Sequence, residues 1–262
     1  MFSGVQRNAG RDVGWTGAMS LVKSAIARSN LRYPVKTILL APFKTNASLA
    51  SFIRGRSNLK SDNARRSAVK IAVIDDQPFL PQTNLQSFGY SVSPLGDLKS
   101  ISEVQDYHIV LCDVMGVGRH FDANAQGATL ISEIKKTYPE KIVIAYTGGA
   151  MNDAAVRSAR ERADILIRKD ADAEEWITKL DQISQEAVDP HVMWRKIRTR
   201  FVELDVDTKD ILILEDAYVR SVLKGGSLAE LGLVASSLKV SSDVRAIIQG
   251  LASSAIYAAL AG

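Results

Sequence analysis

Asp75 and Asp76 end the apolar run "IAVIDD", and Asp113 ends a second one, "HIVLCD". Thr147 closes "KIVIAYT" and Lys169 closes "ILIRK". Three carboxylates brought to one place repel one another unless a cation sits among them. Hard divalent ions such as Mg²⁺ take oxygen ligands, commonly one or two carboxylates with water and phosphate oxygens. A carboxylate beside such an ion can attack a phosphoryl group and carry it as an aspartyl phosphate. The phosphoryl oxygens then need donors and positive charge, because this chemistry rests on positioning and neutralisation. A hydroxyl at Thr147 and a point charge at Lys169 supply both. Taken alone, Asp75 and Asp76 also fit a strand-end turn or a helix cap, and Lys169 a surface lysine.

The elements that must position these groups alternate. From Lys70 to about residue 187, short apolar runs of strand character (71–74, "YSVSPL", 108–113, "KIVIAYT", "DILIRK") interleave with helical patterns. Those helical stretches are "FLPQTNLQSF", "LKSISEVQDY", "ATLISEIKKTY", "NDAAVRSARER" and "DAEEWITKLDQIS". The third places Leu130, Ile131, Ile134 and Tyr138 on one face, and the last does the same for Trp176, Ile177, Leu180 and Ile183. The pattern predicts an α/β fold: a doubly wound, five-stranded parallel sheet covered on both faces. In such sheets ligands sit outside the carboxyl ends of the strands, the edge where Asp75, Asp76, Asp113, Thr147 and Lys169 fall.

The order Asp-Asp, Asp, Thr, Lys at the ends of strands one, three, four and five resembles a response-regulator receiver domain of two-component phosphorelay signalling, over about residues 68–187. "IAVIDDQ" is similar to the acidic pair of that family, "IVLCDVM" to its phospho-acceptor strand, and "IAYTGG" and "ILIRKD" to its Ser/Thr and lysine strands. "QGATLISEI" resembles its glycine-led third helix. The resemblance implies a flavodoxin-like fold and a phosphoryl group accepted on Asp113 from a histidine kinase or phosphotransfer protein. It implies Mg²⁺ held by Asp75, Asp76, Asp113 and the backbone carbonyl of Met115, with Thr147 and Lys169 binding the phosphoryl group. The chain departs from the pattern in several places. Gly116 and Asp170 stand where the family usually has proline. Leu166 replaces the aromatic residue that commonly reports the switch. The loop "GVGRHFDANAQG" is longer than usual and carries Arg119 and His120. An aspartate-nucleophile phosphatase places an acid two residues after its nucleophile; here that residue is Met115, so the chain is expected not to be an enzyme.

The net charge of +4 over 262 residues conceals an asymmetry. Residues 1–70 hold 13 Lys/Arg against 2 Asp/Glu, residues 71–189 hold 11 against 19, and residues 190–262 hold 9 against 8. Charge and pattern together divide the chain into a basic N-terminal extension (1–67), the receiver-like segment (68–187) and a helical C-terminal region (188–262). The extension offers "TGAMSLVKSAIARS" as a basic amphipathic helix, "KTILLAPF" as a strand or an anchoring segment, and "FIRGRSNLKSDNARRS" as a basic linker. The C-terminal region offers helices at "HVMWRKIRTRFVEL", "DTKDILILEDAYVRSVL", "LAELGLVASSL" and "SDVRAIIQGLASSAIYAAL", with residues 211–214, 218, 219, 222 and 223 forming a buried surface. "LVASSLKVSSDVRAII" faintly resembles a helix-turn-helix, but Asp243 with Ser241 and Ser242 stands where basic, base-reading residues are expected.

One cysteine, Cys112, excludes an internal disulfide framework and fits a reducing compartment. No apolar run approaches the ~20 residues of a membrane helix, and no secretory signal is visible. A cytoplasmic protein is expected. Its output partner is an unidentified protein met through the flanks, with a homodimer as one form of that contact. A DNA-binding regulator, or a receiver-like module that binds partners without phosphorylation, are the alternatives.

Overall fold

A computed structural model describes residues 62–223 and 228–253. The helix and strand expected within residues 16–43 lie outside this range. The described chain opens with α1 (Asp62–Ala68), β1 (Lys70–Ile74), α2 (Gln82–Ser87) and β2 (Ser91–Pro94). A 3₁₀ turn (Ile101–Val104), β3 (Ile109–Asp113), α3 (Gly127–Thr137), β4 (Ile142–Thr147), α4 (Ala154–Arg162), β5 (Ile165–Arg168) and α5 (Ala173–Ala187) follow. Four helices complete it: α6 (Pro190–Glu203), α7 (Thr208–Leu223), α8 (Ala229–Ser237) and α9 (Ser242–Ser253).

The five strands are parallel, in the order β2-β1-β3-β4-β5. That is the doubly wound order of flavodoxin-like folds, whose strand order reverses between β1 and β3. Alternation along each strand builds two cores. Ile71, Val73, Ile109, Leu111, Ile144 and Ile167 meet Leu85 of α2 and Trp176, Leu180 and Ile183 of α5. On the other face Ala72, Ile74, Val110, Cys112, Val143 and Ala145 meet Leu130, Ile131 and Ile134 of α3 and Val156 and Ala159 of α4. Carboxylate caps start α4, α5 and α6: Asp153 accepts from Ala155 N–H, Asp172 from Glu175 N–H, and Asp189 from His191 N–H ahead of Pro190.

Two expectations for the first half of the described chain change in the structure. The linker residues 62–67 belong to α1, which is tied to α5 by the Arg66 guanidinium on both oxygens of Asp181 (2.8 and 2.6 Å). "LKSISEVQDY" forms only one 3₁₀ turn, with Ser100 and Glu103 in a capping box. Beyond it the carbonyls of Gln105 and Tyr107 accept from the buried ammonium of Lys141 (2.8 and 2.6 Å).

The C-terminal helices own a third core, built on Met193, Trp194, Ile197, Phe201, Leu214, Tyr218, Leu231, Val244 and Ile248. Leu223, expected inside it, is exposed. The region packs on the sheet body at the end away from the carboxylates. Lys196 of α6 reaches Asp164 (3.1 Å), which also pairs with Lys135 of α3. Gly250 of α9 lies so close to the Tyr138 ring that a Cβ would come within 2.8 Å of it.

At that same end His108 is buried, and its Nδ1 accepts from Lys70 N–H (3.0 Å). Burial, aided by the charges of Lys141 and Lys70, pushes its pKa down to about 4. The unfolded chain therefore binds this proton first, so its contribution to stability is complete above pH ~6.5 and drains away as pH falls towards 4. The loss amounts to roughly 3 kcal/mol. Urea unfolding at stepped pH is expected to show this slope, and His108→Asn, which keeps an acceptor for Lys70, is expected to flatten it.

Candidate functional site

The strand register assembles the site. Ile74 pairs with Cys112, so the residues that follow, Asp75 and Asp113, emerge side by side at the carboxyl edge. Asp113 pairs with Tyr146 and Thr147 with Arg168, which brings Thr147 and Lys169 to the same edge. Lys169 is fixed there through its own N–H, which donates to the Thr147 carbonyl (2.9 Å).

Lys169 Nζ bridges the two buried carboxylates, 2.6 Å from Asp113 Oδ2 and 3.0 Å from Asp75 Oδ2. Asp75 is held by two further donors: Gln77 N–H on Oδ1 (2.9 Å) and the Tyr146 hydroxyl on Oδ2 (2.6 Å). Burial pushes the Asp75 carboxyl up, but Tyr146, Gln77 and Lys169 together outweigh it and leave it below the ordinary range. Asp113 ends above that range. Its burial dominates, Lys169 pulls back, and the neighbouring Asp75 charge adds to the rise. Lys169 is raised, the loss of water being outweighed by its two carboxylate partners. Tyr146 is pushed well up by burial and by Asp75, so its hydroxyl stays a donor.

Asp76 completes the group: single oxygens of Asp75, Asp76 and Asp113 lie within 4.8 Å of one another. Among the described residues this is the one cluster of its kind. The donor set suits a small hard cation, being all oxygen and anionic with one member, Asp76, open to water. The backbone has also been cleared for it. Gly116 has a φ of +86°, and a Cβ there would sit 2.6 Å from Asp76 Oδ1. Proline, locked near −65°, cannot take that conformation. Gly116 therefore fits where a proline could not.

The remaining residues fall as follows. Thr147 is buried, and its Oγ1 accepts from Gly149 N–H (3.0 Å), leaving its O–H to donate. Met115 N–H donates to Asp113 Oδ1 (3.3 Å), and its side chain is exposed. Arg119 and His120 are exposed, with the His120 ring edge-on to Phe121, and no described contact joins either to Asp113. Asp170 pairs with Arg168 at the surface. Cys112 is fully buried, as expected of a small apolar filler.

Two contributors went unread in the sequence. Gln126, itself at a positive φ of 47°, accepts from Gly116 N–H through Oε1 (2.8 Å) and closes the long loop. Asp97 anchors the same loop by accepting from Gly118 N–H (2.7 Å). Tyr146 was read only as part of a strand. Its signal was present in the alternation of Ile142, Ile144 and Tyr146, since a buried tyrosine hydroxyl at a strand end needs an acceptor.

The sheet body thus has a flavodoxin-like, doubly wound fold, with an acidic cluster and a lysine at its carboxyl edge. No family model matches the sequence, and neither does any curated protein. Solved structures similar to the chain include the receiver domain of NtrX from Brucella abortus, 25% identical, covering 44% of this chain and 98% of that one with a TM-score of 0.38. A CheY-like response regulator receiver domain protein from Methanospirillum hungatei JF-1 is 20% identical over 45% of this chain and 95% of its own, with a TM-score of 0.36. A response regulator protein from Burkholderia pseudomallei, solved with a phosphorylated aspartic acid, calcium ion and citrate, is 17% identical. It covers 62% of this chain and 96% of its own, with a TM-score of 0.35.

Proposed function

We propose that the chain is a phosphorelay receiver that accepts a phosphoryl group on Asp113 from a histidine kinase or phosphotransfer protein. The observation that carries this reading is the single ammonium of Lys169 shared by two buried carboxylates at the carboxyl edge. An Asp113 oxygen attacks phosphorus while the P–N bond of the donor phosphohistidine breaks. The electron pair stays on the imidazole, which takes up a proton, and an acyl phosphate forms on Asp113. Mg²⁺, held by Asp75, Asp76, Asp113 and the Met115 carbonyl, would neutralise the phosphoryl oxygens. Lys169 turns from its carboxylates to the new phosphoryl group, and the Thr147 hydroxyl donates to it. With Met115 where a hydrolase would carry an acid, the chain holds the group rather than turning it over.

Output passes through protein contacts of the flanks, in the cytoplasm. Among the described residues no helix is long and apolar enough to cross a membrane. The DNA-binding alternative ranks behind, because the exposed start of α9 carries Ser242 and Asp243 and the helix has one cation, Arg245.

Intact mass spectrometry after incubation with Mg²⁺ and a small phosphodonor tests the acceptor. The expected result is a gain of about 80 Da in the wild type and none in Asp113→Ala. An equal gain in both proteins would move the acceptor elsewhere. No gain in either, from the small donor or from a phosphorylated histidine-kinase donor domain, would leave a module that binds partners without phosphorylation.

A further inference from the structure

We propose that Tyr146 is a positioning residue for the cation ligand Asp75: its buried hydroxyl, braced by Phe79 and Trp176, fixes the plane of the Asp75 carboxylate. The inference rests on the acceptor-site reading above and names a residue outside the acidic, threonine and lysine positions.

Three donors reach Asp75, and they differ in freedom. The Gln77 N–H belongs to the backbone. Lys169 sits on a flexible stem with its side chain one-third exposed, and it is the group that must swing to a phosphoryl oxygen. Tyr146 can do neither. Its ring is 1% exposed and meets Phe79 edge-on at 5.4 Å and Trp176 at 6.3 Å, while Phe79 meets Trp176 at 5.5 Å. The three rings form a closed T-shaped set, so the hydroxyl has one place to point, and Asp75 Oδ2 is there at 2.6 Å. The Lys169 ammonium also rides over the Tyr146 ring, 5.1 Å from its centroid.

When Lys169 leaves, Tyr146 O–H and Gln77 N–H are the two fixed donors that remain, one on each carboxylate oxygen. Together they set the carboxylate plane while leaving lone pairs for a cation. Without the hydroxyl, Asp75 hinges on one N–H and follows the lysine, so cation binding must bear the cost of orienting it. Outer-shell hydrogen bonds to metal ligands typically carry 10–100-fold in affinity. Tyr146 also supplies an aromatic side chain at the site from β4, in a chain whose position 166 is leucine.

The experiment is calorimetric titration of the full chain with Mg²⁺, using wild type, Asp75→Asn, Tyr146→Phe and Trp176→Phe, with thermal midpoints measured alongside. Asp75→Asn tests the site itself. Tyr146→Phe removes only the hydroxyl, and Trp176→Phe disturbs the bracing while keeping it. The proposal expects Tyr146→Phe to weaken Mg²⁺ about tenfold, and Trp176→Phe, which keeps the hydroxyl but loosens its brace, to weaken it by a clearly smaller factor. Tyr146→Phe within twofold of wild type, or tighter, overturns it. So does an equal loss in Trp176→Phe, or a lower midpoint with unchanged affinity, since either makes the tyrosine a packing residue. If wild type and Asp75→Asn titrate alike, the cation-site reading fails and takes this inference with it. A wild type that binds through Asp75 beside an unaltered Tyr146→Phe removes the inference alone.

Discussion

Gly127→Ala is expected to lower the thermal midpoint of unfolding by about 10 °C or more, the largest stability change we anticipate from a single methyl group. Gly127 opens α3 directly beneath the end of β3. A Cβ there would lie 2.0 Å from the Asp113 carbonyl oxygen and 3.0 Å from both the Asp113 carbonyl carbon and Val114 Cα. All three are backbone atoms of a strand end that is fully buried and hydrogen-bonded to β4, so no side chain can rotate away to make room. Relief requires α3 to lift from the sheet or the end of β3 to shift, and either exposes part of the core around Leu130 and Ile131. Overpacking of this severity costs about 3–5 kcal/mol. Gly232→Ala is the matched control. It lies within α8 with nothing inside 4 Å of the added carbon, so the gain in helix propensity is expected to stabilise by about 0.5–1 kcal/mol. A Gly127→Ala midpoint within about 2 °C of wild type would mean that α3 is not seated on Asp113 as described.

The same glycine shows what could be read from the sequence and what could not. Its place at the head of an amphipathic helix was visible in "QGATLISEI", as were the strand ends bearing Asp75, Asp113, Thr147 and Lys169. Those features depend on local periodicity and on one rule about parallel sheets, and both survive in a linear string. The structure answered them with the order β2-β1-β3-β4-β5. Contacts between residues distant in sequence were out of reach. Nothing local tells that the buried ammonium of Lys141 will donate to the carbonyls of Gln105 and Tyr107, more than thirty residues earlier in the chain. Nor does anything local tell that Arg66, in a segment reading as linker, will close on Asp181 115 residues away.

The site divides along the same line. Its charged members stood out because buried strands seldom end in carboxylates without a reason. Tyr146 did not, since a tyrosine in a β-rich run is ordinary until its hydroxyl is seen on Asp75. Gly116 was noticed only as a missing proline. Its positive φ and its closeness to Asp76 turn that departure into a requirement, because the loop must pass the acidic cluster without a side chain. The long loop is likewise held by specific bonds from Asp97 and Gln126. Its exposed Arg119 and His120 make no described contact with Asp113.

Lys169→Met is expected to destabilise the cation-free protein at neutral pH by about 2 kcal/mol, and Mg²⁺ is expected to restore most of that loss. Among the described residues the ammonium is the one positive charge touching both Asp75 and Asp113. Without it, two carboxylates with oxygens inside a 4.8 Å cluster face each other largely out of water. Their repulsion at that separation is about 3 kcal/mol at an effective dielectric constant of ~20. The lysine side chain is one-third exposed, so solvent screening reduces the figure that applies. Methionine retains most of the apolar stem, which isolates the charge from the packing. A Mg²⁺ ion held by the acidic cluster would share Asp75 and Asp113 with the ammonium. In the wild type the cation enters against a charge already in place; in the variant it enters a site that lacks one. Mg²⁺ is therefore expected to bind Lys169→Met several-fold more tightly and to raise its unfolding midpoint more than it raises that of the wild type. Retention of a phosphoryl group on Asp113 is expected to suffer in the same variant, because the group that would pair with it has gone. Tighter cation binding beside poorer phosphoryl retention is a combination that a loss of folding cannot produce. Equal midpoint shifts in the two proteins would show instead that Lys169 and the cation occupy separate places.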